Sequence, residues 1–246
     1  MVLAEYDYKR YDRQLLMKSV GLEGQAKLKD ARVFVAGAGG IGSPALAYLA
    51  SAGVGTLRFA DDGYVELSNL NRQILHYENN LEESKIDSAL EKLRQMNSTI
   101  NYEPIAETIT DENAAELARG CNCIVDALDN LLAKQALNLA SLQLRIPLMH
   151  ASVEGMEARI ATFIPGQTAC LRCLYPSLSA CTKFPVLGAA PAFAASVQVM
   201  EVVKFLTGKG KLLAGKMLRF NAENAEVEII EIARDPLCSA CFGARA

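Results

Sequence analysis

Short apolar runs alternate with longer stretches of helical spacing through residues 1–153. Residues 31–36 (ARVFVA) are almost wholly apolar and stop at glycines, which predicts a buried strand. Residues 43–52 are apolar and alanine-rich and predict a helix; residues 56–61 (TLRFAD) predict a second strand. The spacing predicts a helix over 83–95, a third strand over 101–106 and a helix over 111–119 capped by Thr110 or Asp111. A fourth strand over 123–128 (CIVDAL), a helix over 131–144 and a fifth strand over 147–153 follow. Residues 10–29 predict a helical lead-in. This alternation predicts an α/β fold, a Rossmann-like and mostly parallel sheet with helices on both faces.

Beyond residue 155 the pattern changes. Residues 157–164 predict another strand, followed by an irregular segment that holds several cysteines. Residues 192–206 predict a helix ended by Gly208. Residues 216–221 and 226–233 alternate apolar and polar side chains around a turn-like AEN, which predicts antiparallel strands extending the sheet. The second half reads as integral to the first, so residues 1–246 are expected to form a single domain.

Composition narrows the class. Of 246 residues, 51% are apolar and 22% charged, enough for a sizeable core and against disorder. A net charge of −3 carries no sign of the basic stripe that binds nucleic acid. The first residues, MVLAEYDYKRYDRQ, are charged from position 5 and lack the apolar core of a secretory signal. The most apolar stretch, 186–206, contains Pro191, Gln198, Glu201 and Lys204, so no membrane span is expected. A cytoplasmic location is the default, and there seven cysteines point to metal or catalysis before disulfides.

Gly37-Ala38-Gly39-Gly40-Ile41-Gly42 is G-x-G-x-x-G between a predicted strand and a predicted helix. Glycines there let the backbone approach phosphates, and the helix N-terminus supplies free N–H groups. Asp61, at the end of the next strand, suits ribose hydroxyls. These features alone give a nucleotide site, for which NAD is the ordinary reading. Downstream, Arg72 in Ser68-Asn69-Leu70-Asn71-Arg72-Gln73 and Lys85 at a helix start favour a triphosphate, because both side chains grip phosphate oxygens. Asp129 follows the fourth strand, where a carboxylate facing a triphosphate would hold Mg²⁺. Taken singly, Arg72 and Lys85 also read as surface charges, and Asp129 as a helix cap.

Two pairs, Cys170-x-x-Cys173 and Cys238-x-x-Cys241, suit a closed tetrahedral Zn²⁺ site that would staple the C-terminal tail to the middle of the chain. A redox C-x-x-C is the rival and normally stands alone. Cys121 and Cys123 straddle the start of a buried strand and read as small core residues.

YDRQ at 11–14, GAGGIG at 37–42, Asp61, SNLNRQ at 68–73, Lys85 and DALDN at 126–130 together resemble the ubiquitin-activating-type adenylyltransferases, the bacterial ThiF/MoeB/HesA group. The likeness extends through the C-terminal cysteines and covers nearly the whole chain. It implies ATP-dependent adenylation of the C-terminal Gly-Gly carboxylate of a small ubiquitin-like sulfur-carrier protein, in thiamine or molybdopterin synthesis. It implies that Gly37, Gly39, Gly40 and Gly42 admit the phosphates and that Asp61 holds the ribose. Asn69, Arg72 and Lys85 would bind phosphates with Gln73 nearby, and Asp129 would position Mg²⁺. Arg13 would reach in from the other subunit of a homodimer. Residues 1–153 would be the nucleotide-binding half and 154–246 the carrier-binding and zinc half, with structural zinc on the four cysteines. Cys181 stands where the family has a cysteine that can bond covalently to the carrier or a sulfur donor. The chain departs from the family twice: Asp61-Asp62-Gly63 replaces Asp-x-Asp, and Pro185-Val186 replaces Gly-Val after Cys181. No rhodanese-like segment is present in these 246 residues, so a separate sulfur-donor protein is expected. The residues themselves leave open adenylation of a small-molecule or tRNA-linked carboxylate, an NAD-binding oxidoreductase, and a non-catalytic partner-binding module.

Overall fold

A computed structural model describes residues 3–177 and 185–241. Eight strands form one sheet: β1 (Arg32–Ala36), β2 (Thr56–Ala60), β3 (Asn101–Ile105), β4 (Cys123–Asp126), β5 (Leu148–Glu154), β6 (Glu157–Phe163), β7 (Lys216–Asn221) and β8 (Glu226–Glu231). Their order is β3-β2-β1-β4-β5-β6-β7-β8. The first five are parallel, with Val33 beside Leu57 and Cys123, and Val125 beside Met149. From β5 onward the pairing is antiparallel, with His150 beside Ala161 and Ile160 beside Leu218. The strands fall within one or two residues of those the apolar pattern predicts.

The nine helices of the described residues are α1 (Glu5–Arg10), α2 (Asp12–Leu15), α3 (Gly21–Asp30), α4 (Gly42–Ala52), α5 (Lys85–Met96), α6 (Ala114–Leu117), α7 (Leu131–Leu144), α8 (Leu171–Leu174) and α9 (Ala189–Thr207). Side chains of α3, α4, α5 and α9 cover one face of the sheet around Val33, Leu57, Val125 and Met149. Side chains of α6 and α7 cover the other around Phe34, Ile124 and Leu148. β1 and β4 are buried on both faces, which is why they read as unbroken apolar runs. The helix α9 has the length and mean hydropathy (1.3) of a membrane span, yet it packs on β5, β6 and α4 inside the core.

Three elements differ from expectation. The lead-in is three short helices instead of one. Its break at Tyr11 places a buried ring against Gly53 and the hydroxyl as acceptor from Asn97 Nδ2 at 2.9 Å. The expected helix over 111–119 contracts to α6. The helix expected from 192 begins at Ala189, because Pro191 sits in its first turn, where a missing N–H costs nothing. The chain leaves β1 toward β2 and returns to β4 on β1's other side, so the strand order reverses between β1 and β4. A ligand crevice is expected outside their carboxyl ends.

Candidate nucleotide site and cysteine cluster

The glycine loop lies at that reversal, between β1 and α4. Gly37 has φ +98°, and a side chain there would meet the Ala127 carbonyl oxygen at 2.9 Å. A Cβ on Gly42 would stand 1.9 Å from the Gly37 carbonyl oxygen, so only glycine permits the turn. Asp61 Oδ2 accepts from Ala38 N (2.8 Å) and Oδ1 accepts from Gly63 N (2.8 Å). Ser43 Oγ donates to the Ala38 carbonyl at 2.8 Å. Asp61 therefore shapes the loop from both of its carboxylate oxygens. Asp62, the shifted acid, is exposed and takes the Thr108 hydroxyl instead.

The SNLNRQ segment folds back over this loop. Asn69 is buried in its 3₁₀ turn and its carbonyl accepts from the N–H groups of Arg72 and Gln73. The Arg72 aliphatic chain lies 3.4 Å from a Cβ position on Gly40, and its guanidinium donates to Ser68 O and Asn71 Oδ1. Gln73 is buried with its amide nitrogen 3.7 Å from a Cβ position on Gly39. Its Oε1 is buried with no partner, the state of an acceptor suited to a ligand's hydroxyl or amine. Lys85 opens α5 and brings Nζ to 3.0 Å from a Cβ position on Gly63, beside Asp61 Oδ1. The fold thus gathers Gly37, Gly39, Gly40, Gly42, Asp61, Arg72, Gln73 and Lys85, from four separate stretches of chain.

Asp129 is exposed in the β4–α7 turn, where Leu128 packs on Gly37 and Asn130 caps α7 by accepting from Ala133 N at 2.7 Å. Arg13 is not brought to its own chain's loop. It is exposed on α2, and its neighbour Gln14 donates to the Ala52 carbonyl at the far end of α4. Eleven residues of helix, about 16 Å, separate that end from the glycines.

Behind the turn lies a buried ionic group that the motifs did not reveal. Asp126 accepts from Lys134 Nζ at 3.0 Å through both oxygens, from His150 Nδ1 at 2.7 Å and from Leu128 N at 3.2 Å. Lys134 also donates to the Ala151 carbonyl, and Gln198 of α9 donates to the carbonyls of Asp126 and Met149. Burial alone would raise the Asp126 carboxyl; the Lys134 ammonium and the His150 donor outweigh it and hold the group below the ordinary carboxylate range. Burial, then the charge of Lys134, holds His150 below the usual histidine range, so its ring is neutral. The available signal was an acid inside the apolar run CIVDAL, since a charge in a buried parallel strand must be paired.

Cys170, Cys173, Cys238 and Cys241 converge with all four Sγ atoms within 4.8 Å of one another. The separations are 3.9 Å for 170–173, 3.7 Å for 170–238 and 3.6 Å for 173–241. Four sulfurs about 2.3 Å from a tetrahedral zinc stand ~3.8 Å apart, so the set fits that ion. Asn138 of α7 donates to Cys170 Sγ, and its carbonyl oxygen accepts from Leu171 N. Burial pushes the Cys170 thiol up. At Cys238 burial also pushes upward, but the N–H groups of Cys241 and Ala240 and the neighbouring thiols outweigh it and hold the thiol at about 7. Cys121 and Cys123 are buried core thiols raised by burial. Cys181 lies outside the described residues.

A glycine loop at a strand-order reversal, ringed by Arg72, Gln73, Lys85 and Asp61, has the geometry suited to a nucleotide's phosphates in an α/β fold. The ThiF family model matches residues 11–240, and the chain belongs to this family. It is 37% identical over 239 residues to a maize protein named adenylyltransferase and sulfurtransferase MOCS3-1, covering 94% of this chain and 51% of that one. The chain thus spans about half the length of that relative. It is 36% identical over 243 residues to a Thermus thermophilus protein named sulfur carrier protein adenylyltransferase, covering 94% of this chain and 90% of that one. A crystal structure of E. coli MccB with ATP superposes with a TM-score of 0.84 at 25% identity, over 98% of this chain and 77% of that one.

Proposed function

We propose that this chain uses ATP to adenylate the C-terminal Gly-Gly carboxylate of a small ubiquitin-like sulfur-carrier protein, releasing pyrophosphate. The observation that carries the reading is the gathering of Arg72, Gln73, Lys85 and Asp61 around the glycine loop. The names of the Thermus relative and of the maize relative support it.

The carrier carboxylate attacks the α-phosphorus of ATP; the bond to the bridging oxygen breaks and pyrophosphate leaves, giving the acyl-adenylate. Little covalent work falls to the protein, so positioning of two anions and stabilisation of charge supply the rate. Loop N–H groups receive phosphate oxygens, Asn69, Arg72 and Lys85 offset their charge, and Asp61 takes the ribose. Mg²⁺ binds through one or two carboxylates plus substrate phosphates, which the exposed Asp129 fits; bound there, it would neutralise phosphate charge. Arg13 joins from the second subunit of a homodimer, in keeping with its distance from its own loop. The four cysteines hold a structural zinc and leave no position open for catalysis. Exposed Val227 and Ile229 on β8 offer an apolar surface to the carrier's body. The whole chain acts as one adenylation unit in the cytoplasm, with no nucleic-acid or membrane partner. A sulfide-level sulfur nucleophile from a separate donor protein then attacks the acyl carbon, the bond to AMP breaks and AMP leaves, giving the thiocarboxylate; Cys181 is the candidate for a covalent bond to carrier or donor.

Pyrophosphate exchange against small proteins ending in Gly-Gly, with mass measurement of the carrier, tests this. ATP-dependent exchange and an adenylated carrier are expected. Absence of ATP–pyrophosphate exchange with every Gly-Gly carrier in the panel would sink it.

A further inference from the structure

His76 is 3% exposed and belongs to none of the motifs that suggest the nucleotide site. Its Nε2 lies 3.0 Å from the Ala38 carbonyl oxygen, inside the glycine loop. Its Nδ1 lies 2.9 Å from Ser88 Oγ on α5, the helix that Lys85 opens. A carbonyl only accepts, so Nε2 carries the proton and Nδ1 accepts from the serine hydroxyl. Lys92 Nζ donates to Ser88 Oγ and to Asn80 Oδ1, which holds the serine in turn. The Ala38 carbonyl is thus pinned by His76 and Ser43, while the Ala38 N–H is pinned by Asp61.

The peptide between Ala38 and Gly39 is one planar trans unit, so its C=O and N–H point in opposite directions. Holding the carbonyl inward turns the Gly39 N–H outward, toward the crevice. Among the described residues that N–H makes no intrachain hydrogen bond. Glycine at position 39 would otherwise allow the peptide to flip at little cost.

We propose that His76 is a positioning residue for adenylation: it locks the Ala38–Gly39 peptide so that the Gly39 N–H faces the nucleotide phosphates, and it ties the loop to the helix that carries Lys85. This rests on the nucleotide reading of the glycine loop. The ring is suited to the task because burial, then the nearby Lys85 charge, favours its neutral form, against the pull of the Ala38 carbonyl and Asp61.

The test uses the full chain with His76→Leu, His76→Gln and Ser88→Ala. Gln keeps a donor near the Nε2 position; Leu keeps bulk and loses the bond. ATP affinity is read as the KM for ATP in pyrophosphate exchange, and independently as the ATP-dependent rise in Tm without carrier. His76→Leu is expected to raise the ATP KM up to about tenfold, the span of one net hydrogen bond, with a smaller change in maximal exchange. His76→Gln restores most of the loss, and Ser88→Ala, should Leu prevent folding, shows a smaller rise in the same direction. An unchanged ATP KM in folded His76→Leu, or a loss in maximal rate that Gln does not restore, overturns the role. Lys85→Ala separates the two ideas. Loss of exchange there with unaltered His76→Leu overturns the positioning role alone; a wild-type chain that ATP fails to stabilise overturns both.

Discussion

Asp129 and Asp126 stand three residues apart in opposite surroundings. Asp129 is exposed in the β4–α7 turn; Asp126 is fully buried and paired. Asp129→Ala should therefore abolish ATP–pyrophosphate exchange while leaving the Tm near that of the wild type; retained exchange would refute its place at the phosphates. Lys134→Met strands the Asp126 carboxylate in the core. Removing one partner of a buried pair costs about 3–5 kcal/mol, so urea denaturation should show a fall of that order. A loss under about 1 kcal/mol, typical of exposed pairs, would mean that the pair is not buried in solution.

Elements carry the site through close approaches. The β1–α4 turn works only because Gly42 has no Cβ to strike the Gly37 carbonyl. Gly42→Ala must push the loop outward, and displacement on the ångström scale costs on the order of a hundredfold in rate. Exchange kinetics should show that loss, with far-UV circular dichroism unchanged. The cysteine cluster acts on elements too, since it ties α8 to the tail beyond β8. About one zinc per chain is expected, and chelation should lower the Tm because metal binding is coupled to folding. A metal-free preparation of equal stability would remove the structural role.

At the scale of the whole molecule, stability should fall with acid in two windows. His76 and His150 are neutral in the fold, with pKa values held below 6.5 by burial first. The unfolded chain binds their protons more readily, so stability falls as pH drops below about 6.5. Asp126 is depressed below 3.8 by Lys134 and His150 against its burial; its contribution is present above that pH and lost as pH falls through its folded value. Urea midpoints measured from pH 8 to pH 3 should show both declines, and a flat curve between pH 7 and pH 5 would contradict the neutral histidines.

The chain's pattern determined every strand, the α/β class, the glycine loop and the four-cysteine set, because those depend on local periodicity and on fixed short spacings. Residues 31–36 and 123–128 had to be apolar throughout to lie inside a parallel sheet, and that constraint shows in one dimension. The tertiary structure alone decided the rest. The lead-in breaks at Tyr11 because Gly53 and Asn97, distant in sequence, accept its ring. Gln73 faces Gly39, and His76 reaches Ala38, only because the strand order brings separate segments to one edge. The Asp126–Lys134–His150 group joins two strands and a helix, a contact that no spacing encodes. Such polar contacts are specified by side chains that meet across the fold, and burial, which makes them matter, exists only once the chain has closed around them.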